Sequence, residues 1–348
     1  MGSISDHYGI DGLLITKKEN RRYTTEFTGS AGVVLLSATN AVFITDFRYT
    51  DQAKKQVKEA DIIMHKGNIE QEIANQITKL NINKLGIEEN NMTLKQYSAL
   101  KKYTNIELVQ VNELVETIRA IKEDSEIETM KIAARIADET FQHITHFLKP
   151  GVSEFDIRDE LEFFMQKKGA SSSSFDIIIA SGVRSSLPHG VATSKIIENG
   201  DIVTLDFGAL YNGYCSDLTR TVAIGSCSKE FEKIYGIVLE ALQRGTEAIR
   251  PGESAKTIDD VTRNYITDHG YGEYFGHSTG HGVGLEIHEP LRLSQDSSAT
   301  LQEGMVVTVE PGIYIPNWGG CRIEDDIVIT KDGHEVITQA NRNLIVIG

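Results

Sequence analysis

The sequence predicts an α/β domain built on a mixed sheet, followed by an α+β domain, and three observations carry that expectation. From Gly12 to Val111, short apolar runs alternate with polar, helix-like stretches. Beyond Ser125 this alternation gives way to long helical periods and separate β-prone runs. A length of 348 residues also exceeds what one core usually spans and suits two domains.

In the first domain the apolar runs are GLLIT, VVLLSA, AVFITD, DIIMH, LGIE and IELVQV, separated by segments such as Ile69 to Lys79. VVLLSA and AVFITD meet at Thr39-Asn40, a hairpin signal, so the sheet is expected to be mixed rather than purely parallel. The charged KEDSE stretch offers a joint, which places the domains at 1–122 and 123–348.

The second domain opens where Ser125 and Glu128 have the spacing of a capping box. Apolar residues then recur at Ile127, Met130, Ala134, Ala137, Phe141, Ile144 and Leu148, the pattern of one long amphipathic helix, and Lys149-Pro150-Gly151 stops it. A second helix is expected over 154–168, strands over 175–180 and 201–208, a third helix over 229–248, and further strands toward the C-terminus. The serine run at 171–174 reads as a loop, and no repeat of fixed period is evident.

Composition narrows the function classes. With 40% hydrophobic and 24% charged residues the chain resembles a soluble globular protein, and no apolar run approaches the ~20 residues of a spanning helix. Residues Met1 to Asp11 lack a basic start followed by an apolar stretch, so no secretory signal is expected and the cytoplasm is the expected location. Cys215, Cys227 and Cys321 form no CxxC spacing and read as small buried residues in a reducing compartment. Thirty-five basic against fifty acidic residues give a net charge of −15, which disfavours nucleic acid as a partner.

Four segments carry chemistry. DIVTLDFGALYNGYCSDLTRTVA, residues 201–223, joins two β-prone runs through Asn212-Gly213, a strong turn pair. With that pair as the turn, position 206 faces 219, and Asp217 lies diagonally from Asp206 on the same face. Two carboxylates meeting in an apolar hairpin call for a neutralising cation, the alternative being a surface hairpin with unrelated aspartates. YFGHSTGHGVGLEIHE, starting at Tyr274, sets His277, His281 and His288 among glycines that allow close backbone approach. MVVTVEPG puts Glu310 at a strand end before a Pro-Gly turn, and GCRIEDDIVI puts Arg322 and Glu324 two apart on one face of the next strand, where a salt bridge between them is the alternative. Together Asp206, Asp217, His281, Glu310 and Glu324 supply four carboxylates and one imidazole, a charge of −4 that balances two divalent cations. An oxygen-rich set with one histidine suits manganese, with cobalt, iron or zinc also accommodated.

These five positions, in this order and within these segments, resemble the metal-binding set of the pita-bread peptidases: methionine aminopeptidase, prolidase and aminopeptidase P. The resemblance spans Ser125 to the C-terminus. Upstream, TGSAG at Thr28 and TDFRY at Thr45 resemble the creatinase-like N-terminal domain of the proline-directed members. It implies that Asp217 and Glu324 bridge two metals, with Asp206 on one, His281 and Glu310 on the other, and Glu310 as proton shuttle. It further implies that His189, in LPHGVA, and His288 are catalytic histidines beside the substrate. His277 matches another active-site histidine, and Arg322 an arginine that braces the ligands.

An Xaa-Pro bond lacks an N–H, so a site built for it needs no partner for that donor and can offer an apolar pocket. Phe175, His277 and His288 are candidates to line it. Arg292 is placed to capture a dipeptide's terminal carboxylate, as in some prolidases, an exposed surface arginine being the alternative. A proline-containing di- or oligopeptide is thus the expected partner and a homodimer the expected assembly. Xaa-Pro dipeptidase is favoured over aminopeptidase P. A non-catalytic binding module and the metal-free creatinase activity are disfavoured, because all five ligand positions are present.

Overall fold

The computed structural model describes residues 8–348, so the reading of Met1 to Asp11 lies in part outside the described residues. Two compact units divide between Arg119 and Ala120.

The first unit carries β1 (Gly12–Ile15), β2 (Val33–Ser37), β3 (Ala41–Thr45), β4 (Asp61–Met64), β5 (Lys84–Glu88) and β6 (Glu107–Val111), in the order β4-β3-β2-β1-β5-β6. The sheet is mixed: β1/β2 and β2/β3 are antiparallel, the other pairs parallel. Helices α1 (Lys18–Thr25), α2 (Thr50–Gln56), α3 (Ile69–Lys79), α4 (Leu94–Leu100) and α5 (Leu114–Arg119) alternate with the strands. Successive strand residues feed separate cores: Leu13, Ile15, Val34 and Phe43 pack in one, Leu14, Leu35, Val42 and Ile44 in another. The hairpin centre falls at Ala38-Thr39, one residue before the expected Thr39-Asn40, because Leu36 pairs with Ala41 and the Ser37 N–H donates to the Asn40 carbonyl.

In the second unit the long helix α6 spans Asp124–Phe147 and buries Met130, Ala134, Ala137, Phe141 and Ile144. Its cap lies two residues before the expected Ser125: the Glu126 carboxylate accepts from the Glu123 N–H at 2.9 Å and from the Tyr214 hydroxyl at 2.6 Å. Helix α7 (Glu154–Lys167) follows, and α8 (Lys229–Ala248) lies where expected. Helix α9 (Ala255–Asp268) is an addition, capped by Ser254.

The serine run is not all loop, since β7 (Ser172–Ser173) pairs with β10 (Ala209–Tyr211), which continues into β11 (Tyr214–Cys215). A second sheet joins β8 (Ile178–Ser181), β9 (Ile202–Phe207) and β12 (Leu218–Ile224), with the terminal β20 (Val346–Ile347) at its edge. A five-stranded sheet has the order β14 (Glu289–Leu293), β13 (Gly280–Gly282), β15 (Val306–Val309), β18 (Asp325–Thr330) and β19 (Gly333–Val336). Between β15 and β18 runs the hairpin of β16 (Gly312–Ile315) and β17 (Gly319–Arg322).

Among the described residues no helix is long and apolar enough to cross a membrane. Cys215 and Cys321 are buried as expected, whereas Cys227 is only partly so.

Candidate active site

The Asn212-Gly213 turn sets the first half of the site. Both residues have positive φ, 44° and 77°, as a two-residue hairpin turn of matching twist requires. Tyr211 then pairs with Tyr214, and the same register carried down the ribbon pairs Asp206 with Thr219. Asp217 therefore stands diagonally from Asp206, as the turn predicts.

The second half comes from β13, β15 and β18. Val309 pairs with Asp325, so Glu310 and Glu324 occupy the next position at the same end of the two strands. Gly280 allows β13 to lie against β15: a Cβ there would fall 1.9 Å from the Thr308 carbonyl oxygen. Close approach lets the His281 N–H reach Thr308 Oγ1 at 3.1 Å.

Arg322 and Glu324 do not share a strand. Arg322 ends β17, and Glu324 lies in the two-residue passage before β18. The expected alternative of a bridge between them also fails, because the Arg322 guanidinium donates to Asp206 Oδ2 instead. Both side chains still converge on Thr219, whose hydroxyl accepts from Arg322 Nε at 3.1 Å and donates to Glu324 Oε2 at 2.6 Å.

Asp206, Asp217, His281 and Glu324 are each at most 9% exposed. One ligand-type atom from each of Asp217, His281 and Glu324 lies within 4.8 Å of the others. His281 Nδ1 donates to the Gly282 carbonyl at 3.0 Å, leaving the Nε2 lone pair 3.6 Å from Asp217 Oδ2 and 3.5 Å from Glu310 Oε1. Burial, ahead of the nearby His288 and Arg292, holds His281 down at about 4, so the ring is neutral near pH 7. Asp206 Oδ1 and Asp217 Oδ1 are buried with no hydrogen-bond partner.

The result is a convergence of carboxylate oxygens and one imidazole lone pair, and that arrangement fits divalent cations. Without a cation the cluster holds its protons. Burial, then the Glu324 and Asp206 carboxylates, pushes Asp217 well above the usual carboxylate range, and burial with Glu310 and Asp206 does the same to Glu324. Burial raises Glu310 to about 8, Arg322 opposing the shift.

The remaining expected residues are distributed unevenly. His288 stacks edge-on against His281 with ring centres 4.4 Å apart, yet its residue is exposed. His189 lies exposed at a turn after β8, and burial first, then Arg292 and His189, lowers His288. Arg292 is exposed and pairs directly with His281 across β13 and β14. His277 has both ring nitrogens engaged, Nδ1 with the Ser278 carbonyl at 2.8 Å and Nε2 with the Tyr314 hydroxyl at 2.9 Å. Phe175, half-buried between β7 and β8, has no ring contact with the cluster among the described residues.

Several supporting groups were not singled out in the sequence. Tyr314 OH accepts from Arg322 Nη1 at 2.6 Å, Thr308 Oγ1 donates to Glu310 Oε1 at 3.3 Å, and the Asp217 N–H donates to Asp326 Oδ2 at 2.8 Å. From α9, the buried Asp259 accepts from the Thr279 N–H and hydroxyl, while Arg263 binds the Phe275 and His277 carbonyls. The i,i+4 spacing of Asp259 and Arg263 was the available signal, hidden because α9 itself was overlooked.

Comparison with known proteins agrees with this geometry. Residues 128–331 match metallopeptidase family M24, and residues 4–121 match the creatinase/prolidase N-terminal domain. An Xaa-Pro dipeptidase of Pyrococcus horikoshii is 41% identical over 98% of this chain and 96% of its own. The solved Xaa-Pro dipeptidase from Bacillus anthracis is 56% identical with a TM-score of 0.98, covering 99% of this chain and 97% of that one. An X-Pro aminopeptidase structure from Thermotoga maritima is 37% identical with a TM-score of 0.92, covering 99% of both chains. The expected creatinase-like domain followed by a pita-bread catalytic domain is therefore the fold observed. With four buried or half-buried carboxylates and a neutral histidine brought together by these strands, and with residues 128–331 matching its model, the chain belongs to metallopeptidase family M24.

Proposed function

We propose that this protein is an Xaa-Pro dipeptidase, a cytoplasmic homodimer whose two divalent cations, manganese foremost, are held by Asp206, Asp217, His281, Glu310 and Glu324. The observation that carries the reading is the neutral His281 Nε2 facing carboxylate oxygens of Asp217 and Glu310 at 3.6 and 3.5 Å, an arrangement of lone pairs that a cation stabilises. Held by these residues, two divalent cations would supply polarisation of the scissile carbonyl and a lowered pKa for the attacking water.

The chain's own residues do the rest. Glu310, half-buried and held by Thr308, is placed to take a proton from the attacking water and pass it to the leaving proline nitrogen. Arg322 fixes Asp206 through its guanidinium and Tyr314 through Nη1, so ligand spacing is set before substrate arrives. His189 and His288, both exposed, are the donors for the substrate carbonyl and the developing oxyanion. His277 offers the substrate its ring rather than a hydrogen bond, since Ser278 and Tyr314 occupy its nitrogens. Phe175 is assigned to the proline pocket as an aromatic candidate from the sequence alone.

Arg292 favours a dipeptidase, because its position opposite His281 on an exposed edge suits a guanidinium that captures the carboxylate following proline. The 40% identity to a second archaeal relative named Xaa-Pro dipeptidase supports the same assignment. Aminopeptidase P is the second reading, supported by the X-Pro aminopeptidase neighbour. Hydrolysis of an Xaa-Pro dipeptide and of the same peptide extended beyond proline, after chelation and return of manganese, separates them. Preference for the dipeptide is expected, and preference for the longer peptide selects aminopeptidase P.

A further inference from the structure

His189 sits on a segment, residues 181–193, whose two ends are held by one side chain. Glu154 opens α7 and has no exposed surface. Its Oε1 accepts from the N–H and hydroxyl of Ser181 at 2.9 and 2.8 Å, and its Oε2 from the N–H and hydroxyl of Thr193 at 3.0 and 2.6 Å. Arg184 Nε lies 3.2 and 3.1 Å from the two oxygens, and its Nη2 donates to the Val191 carbonyl at 2.6 Å. The segment is also fastened on its other side, where Ser185 Oγ accepts from the Gly320 N–H at 2.9 Å.

The helix does not need this carboxylate for its own start. Ser153 caps α7, its Oγ accepting from the Asp156 N–H at 3.1 Å. Glu154 instead directs all of its named bonds into the segment that presents His189, and charge-assisted bonds of this kind are the strong ones.

We infer that Glu154 is a positioning residue for His189, setting where that imidazole meets the substrate. The inference rests on the proposed role of His189. Because Glu154 lies on a different element from every proposed ligand, its effect is expected in turnover and not in metal affinity.

The test is a double-mutant cycle in the manganese-loaded full chain, with Glu154→Gln, His189→Ala and the pair. kcat and KM are measured on an Xaa-Pro dipeptide, and manganese affinity by calorimetry. His189→Ala is expected to cost about 100-fold in kcat/KM, as for loss of one transition-state donor. Glu154→Gln is expected to cost about tenfold through misplacement of the imidazole. The double variant is expected to match His189→Ala within about twofold, the mark of residues acting as one unit.

If the Glu154→Gln loss is repeated in full in the His189→Ala background, or if manganese affinity falls with it, the inference is overturned while His189 keeps its role. If His189→Ala alone matches the parent enzyme, the role of His189 falls and the inference with it. Should Glu154→Gln fail to fold, Thr193→Val removes one of the four Ser181 and Thr193 bonds and enters the same cycle with the same two outcomes.

Discussion

Each unit of this protein buries a cluster of carboxylates, and the two clusters are built in opposite ways. In the first unit, Glu88 Oε2 accepts from the Thr16 N–H, the Thr16 hydroxyl and the Lys17 N–H at 2.6, 2.9 and 2.8 Å. Asn20 donates to both Glu88 and Glu116, and Lys17 Nζ reaches Glu116 at 3.0 Å. Burial alone would raise Glu116, but these bonds outweigh it and hold the group low. In the second unit, Asp206 and Asp217 each keep a buried oxygen without a partner, Asp217 is pushed up by burial and by Glu324 and Asp206, and Glu324 by burial and by Glu310 and Asp206. Carboxylate number therefore does not mark a site. Ligand-type atoms gathered within 4.8 Å of one another, with neighbouring lone pairs left unmet, do, because a cluster that satisfies itself has nothing left to offer a cation.

The largest effect that would sharpen this contrast is on activity. Asp206→Ala or Glu310→Ala should reduce metal-dependent hydrolysis of an Xaa-Pro dipeptide by at least about 1000-fold, while circular dichroism shows the fold largely kept. Glu88→Gln, in the self-satisfied cluster, should leave kcat/KM unchanged and instead lower the unfolding free energy by about 1–3 kcal/mol in denaturant titration. A comparable activity loss in both would erase the distinction.

Next in size is metal removal. Chelation should stop hydrolysis and lower the melting temperature, and manganese at about 100 times its Kd should restore about 2.7 kcal/mol. Arg292→Ala comes after it, expected to raise KM for the dipeptide about tenfold with a smaller change in kcat. Equal losses on dipeptide and extended peptide would remove its carboxylate role.

The smallest effect is on pH. Burial holds Glu310 up at about 8, and a cation binds only the ionised carboxylate. Manganese affinity should therefore rise with pH up to about 8 and level above it, with proton release visible as a buffer-dependent enthalpy. A flat profile from pH 6 to 8 would contradict the sign of that shift.

Much of the candidate site was legible because the proposed ligands are placed by local rules. Asn212-Gly213 fixes the hairpin register, and register alone brings Asp206 and Asp217 to one face. Glu310 is marked by the Pro-Gly turn after its strand. What stayed hidden depends on segments far apart in sequence. The pairing of Arg322 with Asp206 joins residues 116 positions apart, and the support of Asp217 by Asp326 joins residues 109 apart, so neither spacing carries a signal. The shift of the α6 cap from Ser125 to Glu123 has a simpler cause. KEDSE offers several overlapping capping patterns, and the contact of Glu126 with Tyr214 decides among them.

Calorimetric titration of the metal-stripped full chain with manganese tests the central claim most directly. Two sites per chain are predicted, lost in Asp217→Asn and untouched in Glu88→Gln. Binding no stronger than at exposed acidic side chains, or equal losses in the two variants, would contradict the assignment of the unmet carboxylates to a dinuclear centre.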